Sequence, residues 1–441
     1  MRRPLLWRGV ALAGAAALTL GACGDDGGGS DGTAEPTEDQ TQDTGQTDEP
    51  QADVDVERPG RDEVLDLGYV LPESGPLAFL GAPMITGANM ALEDINAAGG
   101  VLGSDVTLTT GDEAGDAALA QQAAARLINS GVDGVLGAAA SGMSQEIIQL
   151  LYDNQIVQCS PANTSPSFSE QENNGFYHRT VPPDAAVAPI IADTVVADGA
   201  QNVAVVARAD DYGVALADLV ETNVQNLGGS VATRVDYDPN TSDFSAEVSQ
   251  ITGANPDAVV IIGFGEAATL IRQLIEAGVP ANAIYGSDGL FGPTLTQDVN
   301  PDDPGFISGM KVIGASGGEE FNNRLNERLP DNEKGNLIYG GQAYDCMIIM
   351  ALGAIAADST DPVDFNETVN AVTKDGTECS TFANCSELLA SGEDIDYQGV
   401  SGPLNIQGTD PAVGRYAIAQ FQDDGSLEVV GSQDVDLTQL G

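Results

Sequence analysis

Small polar residues recur just past short apolar runs along this chain. Ser141 follows the run 132–136, Ala162 and Thr164 sit in SPANTSPS (160–167) after 156–159, and Asp288 sits in YGSDG (285–289) after 284–286. Ser141 offers a hydroxyl and backbone donors in the loop before a helix, where the helix dipole is positive. Ala162 and Thr164 offer backbone groups and a hydroxyl, and Asp288 is placed to meet an ammonium. Such groups hold a small charged molecule without breaking a bond in it. Each also has a plainer reading: a helix N-cap for Ser141, a proline-bounded turn for SPANTSPS, a turn-forming aspartate before Gly289.

Bond-breaking chemistry has little to work with. His178, in FYHRTVPPD (176–184), is the sole histidine and reads as a hydrogen-bonded surface residue. With one histidine and no cysteine cluster, neither a zinc site nor a Ser-His-Asp triad is readily built. GFGEAA (263–268) mimics part of a dinucleotide fingerprint but has Ala268 where the last glycine belongs. The pair Asp210-Asp211 opens a helix, where adjacent acids cap or solvate more often than they cleave glycosides. No enzyme, cofactor or metal is expected.

The elements that position these residues repeat one pattern. The strand-like run 64–71 leads through a short loop to a helix with Ile85, Ala88, Leu92 and Ile95 on one face, stopped by Gly99-Gly100. Strand–helix pairs follow at 106–110 with 115–129, then 132–136 with 143–153, and a further strand at 156–159. Two prolines at 182–183 interrupt the series. It restarts with strands at 202–207, 231–237, 258–263 and 284–286, and helices at 213–227, 244–252 and 266–277. Apolar helices at 342–357 and 364–373 and a final strand at 416–421 complete the reading. The expected fold class is α/β: two doubly wound lobes, 62–182 with 316–407 and 183–315 with 408–441. The chain would cross between them near Val181, Ala315 and Gly408, a three-stranded hinge that lets rigid lobes close. Open α/β sheets bind ligands at the carboxyl ends of their strands, where the polar residues above fall.

The N-terminus speaks to compartment. Arg2, Arg3 and Arg8 precede an apolar run at 10–22, too short for a free membrane span, which reads as a signal peptide. Leu20-Gly21-Ala22-Cys23 looks like a lipobox, with Cys23 lipidated. Residues 24–60 carry twelve acids and one arginine and almost nothing apolar, a disordered tether. The formal net charge of −51 argues against nucleic acid and anionic lipid headgroups as partners; it fits a saline habitat or lineage drift. Of five cysteines, four remain beyond Cys23. Cys379 and Cys385 stand six apart in a loop-like segment and are expected to pair; Cys159 and Cys346 then pair or stay free.

The stretch GPLAFLGAPMITGANMALEDINAAGGVLG (75–103) resembles the opening of the leucine/isoleucine/valine-binding protein family, the type I extracytoplasmic solute receptors of ABC importers. SPANTSPS, DDYG (210–213), GFGEAATLIRQL (263–274), YGSDG, AYDC (343–346) and GVSGPLNI (399–406) extend the resemblance over 62–431. It implies an amino-acid ligand, held by Ala162 and Thr164 and covered by Tyr212, with Phe264 on the pocket wall. Phe79 and Leu80 of the first loop would touch the ligand's side chain; these two and Phe264 are equally explicable as packing. Some relatives carry glutamate where Asp288 stands, so the shorter acid shifts the ligand or takes a water. The resemblance further implies a monomeric, lipid-anchored extracytoplasmic receptor that hands its solute to an ABC permease. Receptors for urea, a short amide or an aromatic acid, and a sensor subunit, are the alternatives.

Overall fold

The computed structural model describes residues 63–169 and 175–439; the signal run, Cys23 and the acidic tether lie outside them. The first sheet is parallel, in the order β2-β1-β3-β4-β5, and is built from β1 Asp66–Val70, β2 Thr107–Thr109, β3 Gly134–Gly137, β4 Val157–Ser160 and β5 Tyr177–Arg179. Helices α1 Ala78–Ala97, α2 Ala117–Ser130 and α3 Ser141–Asp153 connect the first four strands. Parallel strands need such crossovers, and covered on both faces they read as unbroken apolar runs.

Thr180, Val181, Pro182 and Pro183 carry the chain to α4 Asp184–Ala197 and a second sheet. There β6 Asn202–Arg208, α5 Asp211–Asn226, β7 Ser230–Tyr237, α6 Ser245–Gly253, β8 Ala258–Ile262, α7 Ala267–Glu276, β9 Ile284–Gly286, α8 Leu295–Val299 and β10 Lys311–Ala315 follow in turn. Strand β8, AVVII, is buried at every position. From β10 the chain returns to α9 Glu319–Arg328 and α10 Gly340–Ala357, which pack on α1, and to α11 Pro362–Ala371. A small sheet of β11 Thr377–Cys379, β12 Ile395–Gly399 and β13 Gly402–Pro403, with α12 Phe382–Ala390, precedes the last passage. Strands β14 Val413–Phe421 and β15 Leu427–Asp436 then pair antiparallel on the edge of the second sheet, in the order β15-β14-β10-β9-β8-β6-β7. The architecture is two α/β lobes with three connections between them.

Several expectations are corrected. The strand at 416–421 is not the last, because β15 follows through a turn closed by Gln422 and Ser426. As an edge strand β15 buries little beyond Val435, so it lacks an apolar pattern. In α1 the buried line is Met84, Ala88, Ala91 and Ile95, whereas Ile85 and Leu92 are only half-buried. Close approach to α10 sets this rotation: a Cβ on Gly87 would lie 2.1 Å from the Gly340 carbonyl oxygen. Small residues, not the largest apolar ones, choose that face. Gly99 and Gly100 do end the helix with positive φ, +106° and +73°.

Helix α10 is apolar all round because α1, α11 and α12 surround it. It is long and apolar enough to cross a membrane by composition, yet 83% of it is buried within the protein. A disulfide ties it to the first sheet, joining Cys346 to Cys159 of β4 with Cα atoms 5.7 Å apart. The second disulfide, Cys379–Cys385, links β11 to α12, so that segment is strand, turn and helix rather than loop.

Candidate functional site

The loops at the carboxyl ends of β3 and β4 are held side by side. Ser160 Oγ donates to Ala138 O at 2.8 Å, and Asn163 Nδ2 to Ala139 O at 2.8 Å. Ser141 is the first residue of α3 rather than its cap, which is Ala140 without a side-chain bond. It is buried, at the positive end of that helix. Arg179, fully buried, clamps the SPANTSPS loop: it donates to Asn163 O at 2.8 Å, Ser165 O at 2.9 Å and Ser169 Oγ at 2.8 Å, and pairs with Asp410 at 2.7 Å. One guanidinium thus ties the Thr164 loop to the third inter-lobe connection, a demanding geometry that suits arginine's fork of donors.

Thr164 is placed against the first connection. Its carbonyl accepts the Asp184 N–H at 2.8 Å, where α4 begins after the two prolines. The Asp184 carboxyl is fully buried, and neither of its oxygens has a hydrogen-bond partner. The Thr164 hydroxyl lies near that carboxyl, outside bonding geometry, and is likewise unpartnered. Burial pushes the Asp184 carboxyl up to about 8, Asp288 adds to the rise, and Thr164 and Arg179 oppose it. Gln342 Oε1 of α10 and the Tyr416 hydroxyl of β14 are two more buried polar atoms without partners. Tyr416 is itself held far above its ordinary range, by burial and then by the charges of Asp184 and Asp288.

Asp288 comes to the same cluster from the second lobe. Its Oδ1 accepts the Tyr212 hydroxyl, which also bonds Ser287 Oγ at 2.7 Å, and its Oδ2 accepts the Tyr339 hydroxyl. Burial raises the Asp288 carboxyl and the two tyrosine bonds oppose that rise. The Tyr212 ring stacks on Phe264 with centroids 5.1 Å apart, and the Arg208 guanidinium lies 3.9 Å from the Phe264 centroid. Arg208 is fixed in turn by Glu266 at 2.8 Å. A cavity of about 250 Å³ opens beside Phe264 and Arg208, with Pro76, Ala140 and Met143 on its other side; Thr164, Asp184, Tyr212 and Asp288 do not line it.

The structure therefore brings Thr164, Tyr212, Phe264 and Asp288 into one neighbourhood. Ala162 is buried in the same loop, with its N–H turned to Ser160 Oγ at 3.3 Å. Phe79 packs against Gly292 of the second lobe. Phe79 and Leu80 lie in the first turn of α1 rather than in the loop before it, because the helix already starts at Ala78, and Leu80 is buried in the core. His178 is a correction: it is buried, not at the surface, and its ring nitrogens meet Asn370 Oδ1 at 2.9 Å and Asn366 Oδ1 at 3.4 Å. Burial lowers its pKa, and the ring orders the β5 edge.

Asp184, Tyr339, Gln342 and Tyr416 escaped the sequence reading. Asp184 carries the clearest signal in hindsight, an acid directly after two prolines at a chain crossing. Tyr339 carries none, lying between helices in a left-handed conformation with φ +59°. Glu113 escaped too: fully buried beside the β3–α3 loop, it accepts the Ala139 N–H at 3.2 Å, leaves Oε1 unpartnered, and is pushed by burial up to about 8. Among the described residues, no group of acids, histidines and cysteines is arranged to hold a metal ion.

The profile of the periplasmic binding protein family matches residues 65–426. A Leu/Ile/Val-binding protein homolog of Brucella melitensis is 32% identical over 231 residues, covering 51% of this chain and 61% of that relative's length. Among solved structures, the leucine-binding protein LivK of Thermotoga maritima superposes with a TM-score of 0.70 at 23% identity, covering 84% of this chain and 98% of LivK. LivJ of Streptococcus pneumoniae, solved in complex with isoleucine, gives 0.69 at 21% identity, covering 85% of this chain and 99% of LivJ. The chain belongs to the periplasmic binding protein family.

Proposed function

We propose that this member of the periplasmic binding protein family captures an amino acid of the leucine/isoleucine/valine type by closing its two lobes, and delivers it to an ABC permease. The observation that carries the reading is the buried, unpartnered Asp184 carboxyl beside the unpartnered Thr164 hydroxyl, with Asp288 nearby. A buried carboxylate without a partner is costly, and a ligand ammonium supplies both the opposite charge and the missing N–H donors.

In this arrangement the ammonium meets Asp184, Thr164 Oγ1 and the Ala162 carbonyl, with Asp288 one tyrosine shell away. The ligand carboxylate takes Ser141 and the backbone donors at the start of α3. Tyr212, Phe264 and Phe79 surround the side chain, with Leu80 supporting Phe79 from the core. Cys23 anchors the receptor outside the cytoplasmic membrane through the acidic tether, and no bond is made or broken in the solute.

An aromatic acid without an amine is disfavoured, because it brings neither the positive charge nor the N–H donors that the buried acids at the site lack. Calorimetry of the full chain against L-leucine, L-isoleucine, L-valine, benzoate and urea tests the assignment. Binding of at least one amino acid, with benzoate and urea inert, supports it. Failure of every amino acid, or binding of benzoate or urea alone, rejects it.

A further inference from the structure

The segment before α10 bridges the two lobes. Its far end is fixed to the first lobe: Gly340 abuts Gly87 of α1, and a Cβ on Gly340 would lie 2.4 Å from Leu325 of α9. Asn336 Nδ2, four residues earlier, donates to the Phe79 carbonyl at 2.5 Å, also in the first lobe. Between these two anchors the chain leans on the second lobe. A Cβ on Gly314 of β10 would lie 2.8 Å from Ile338 Cδ1, and the buried Tyr339 donates its hydroxyl to Asp288. Tyr339 adopts φ +59°, a conformation costly for a residue with a side chain and one that aims the ring out of the helix start.

Asp288 thus receives one hydroxyl from its own lobe and one from across the cleft. The first survives any rigid movement of the lobes, since Tyr212 and Asp288 move together. The second does not, because a hydrogen bond tolerates only a few tenths of an ångström of separation.

We infer that Tyr339 is the closure latch of this receptor: its cross-cleft bond to Asp288 forms only when the lobes meet, and it sets how long a captured solute stays rather than which solute is chosen. The inference rests on the lobe-closing reading above. Opening must break a buried, charge-assisted bond, so the latch acts on the rate of release and leaves the rate of capture alone.

The test compares Tyr339→Phe with the wild-type chain in two arms. In the first, amide exchange is followed by mass spectrometry without any solute. The latch predicts about tenfold faster exchange at Leu290 and Leu295, which line the seam where Phe79 meets the second lobe, and unchanged exchange within α10. Tyr285→Phe is the control, since that hydroxyl bonds Asp198 within the second lobe at 2.7 Å, and its cleft amides should match wild type. In the second arm, L-leucine is bound and its release followed by tyrosine fluorescence. Tyr339→Phe should release it about tenfold faster with the association rate unchanged. Unchanged cleft exchange, or a loss of affinity confined to association, overturns the latch. If cleft exchange accelerates but wild type binds none of L-leucine, L-isoleucine and L-valine, the latch stands and the amino-acid reading falls.

Discussion

Asp184 and Asp345 are both fully buried aspartates, yet their surroundings could hardly differ more. Asp345, on α10, accepts Tyr397 Oη at 2.7 Å, Val400 N at 2.9 Å, and Ser401 N and Oγ at 2.9 and 2.5 Å. Those four donors partly offset burial, so its carboxyl is pushed only to about 6. Asp184 accepts nothing, and burial takes it to about 8. The first carboxylate is a fastener: it pins the small third sheet and the start of the last inter-lobe connection to α10. The second has its acceptors in reserve. Burial alone does not mark a functional acid; burial without satisfaction does.

Removing the fastener should have the largest effect. Asp345→Ala strands four donors at once, each costing about 1 kcal/mol or more. A loss of roughly 4 kcal/mol or outright failure to fold is expected, read by urea denaturation. Asp184→Ala or Asp184→Asn should instead spare folding and abolish binding. A buried charged pair is worth about 3–5 kcal/mol when one partner is removed, so amino-acid affinity should fall at least a hundredfold by calorimetry. A stable Asp345→Ala chain, or an Asp184→Asn chain that binds normally, would erase the contrast.

The pH dependence sharpens it. A carboxyl whose folded pKa lies near 8 keeps a proton that the unfolded chain releases above its ordinary 3.8. Its contribution to stability is therefore complete below about pH 4 and is lost as pH rises to about 8. Asp184 and Glu113 share this behaviour, so between pH 6 and 8 the unliganded protein should lose stability at up to about 1.4 kcal/mol per pH unit for each. Asp184→Asn should remove about half of that slope, and Glu113→Gln the other half. Denaturation at pH 6, 7 and 8 measures it; a slope unchanged by Asp184→Asn would show that this carboxyl is ionised in the folded protein. The smallest effects separate the two roles most finely. Ser401→Ala, which keeps the backbone donor, should cost about 1 kcal/mol of stability and no affinity. Thr164→Val should cost about tenfold in affinity and almost no stability, since its hydroxyl bonds nothing in the unliganded protein.

Much of the frame was legible in the residue order. Alternating apolar runs and glycine-stopped helices spelled out the βα units, and the double proline marked the first connection. AYDC and GVSGPLNI stood out as two separate motifs; their link, Asp345 to Val400 and Ser401, became visible only in space. Ser141, Ala162, Thr164, Tyr212 and Asp288 stood out as candidates because each follows a strand, and loops at strand ends face the cleft in this architecture. Tyr339 was not, since no local pattern says that a residue between two helices will reach an acid 51 positions away. The exposed β15 and the buried His178 failed for a related reason: local hydropathy says nothing about which edge or loop the rest of the chain will cover.

Local composition thus determined the repeating units, their stops and the acidity of the chain. The tertiary structure decided which few acids, among 67 Asp and Glu residues, lie buried and which of those are satisfied. The physical reason is that the state of a charge depends on every group packed around it. Here those groups come from distant parts of the chain, as Arg179 and Asp410 do across 231 residues.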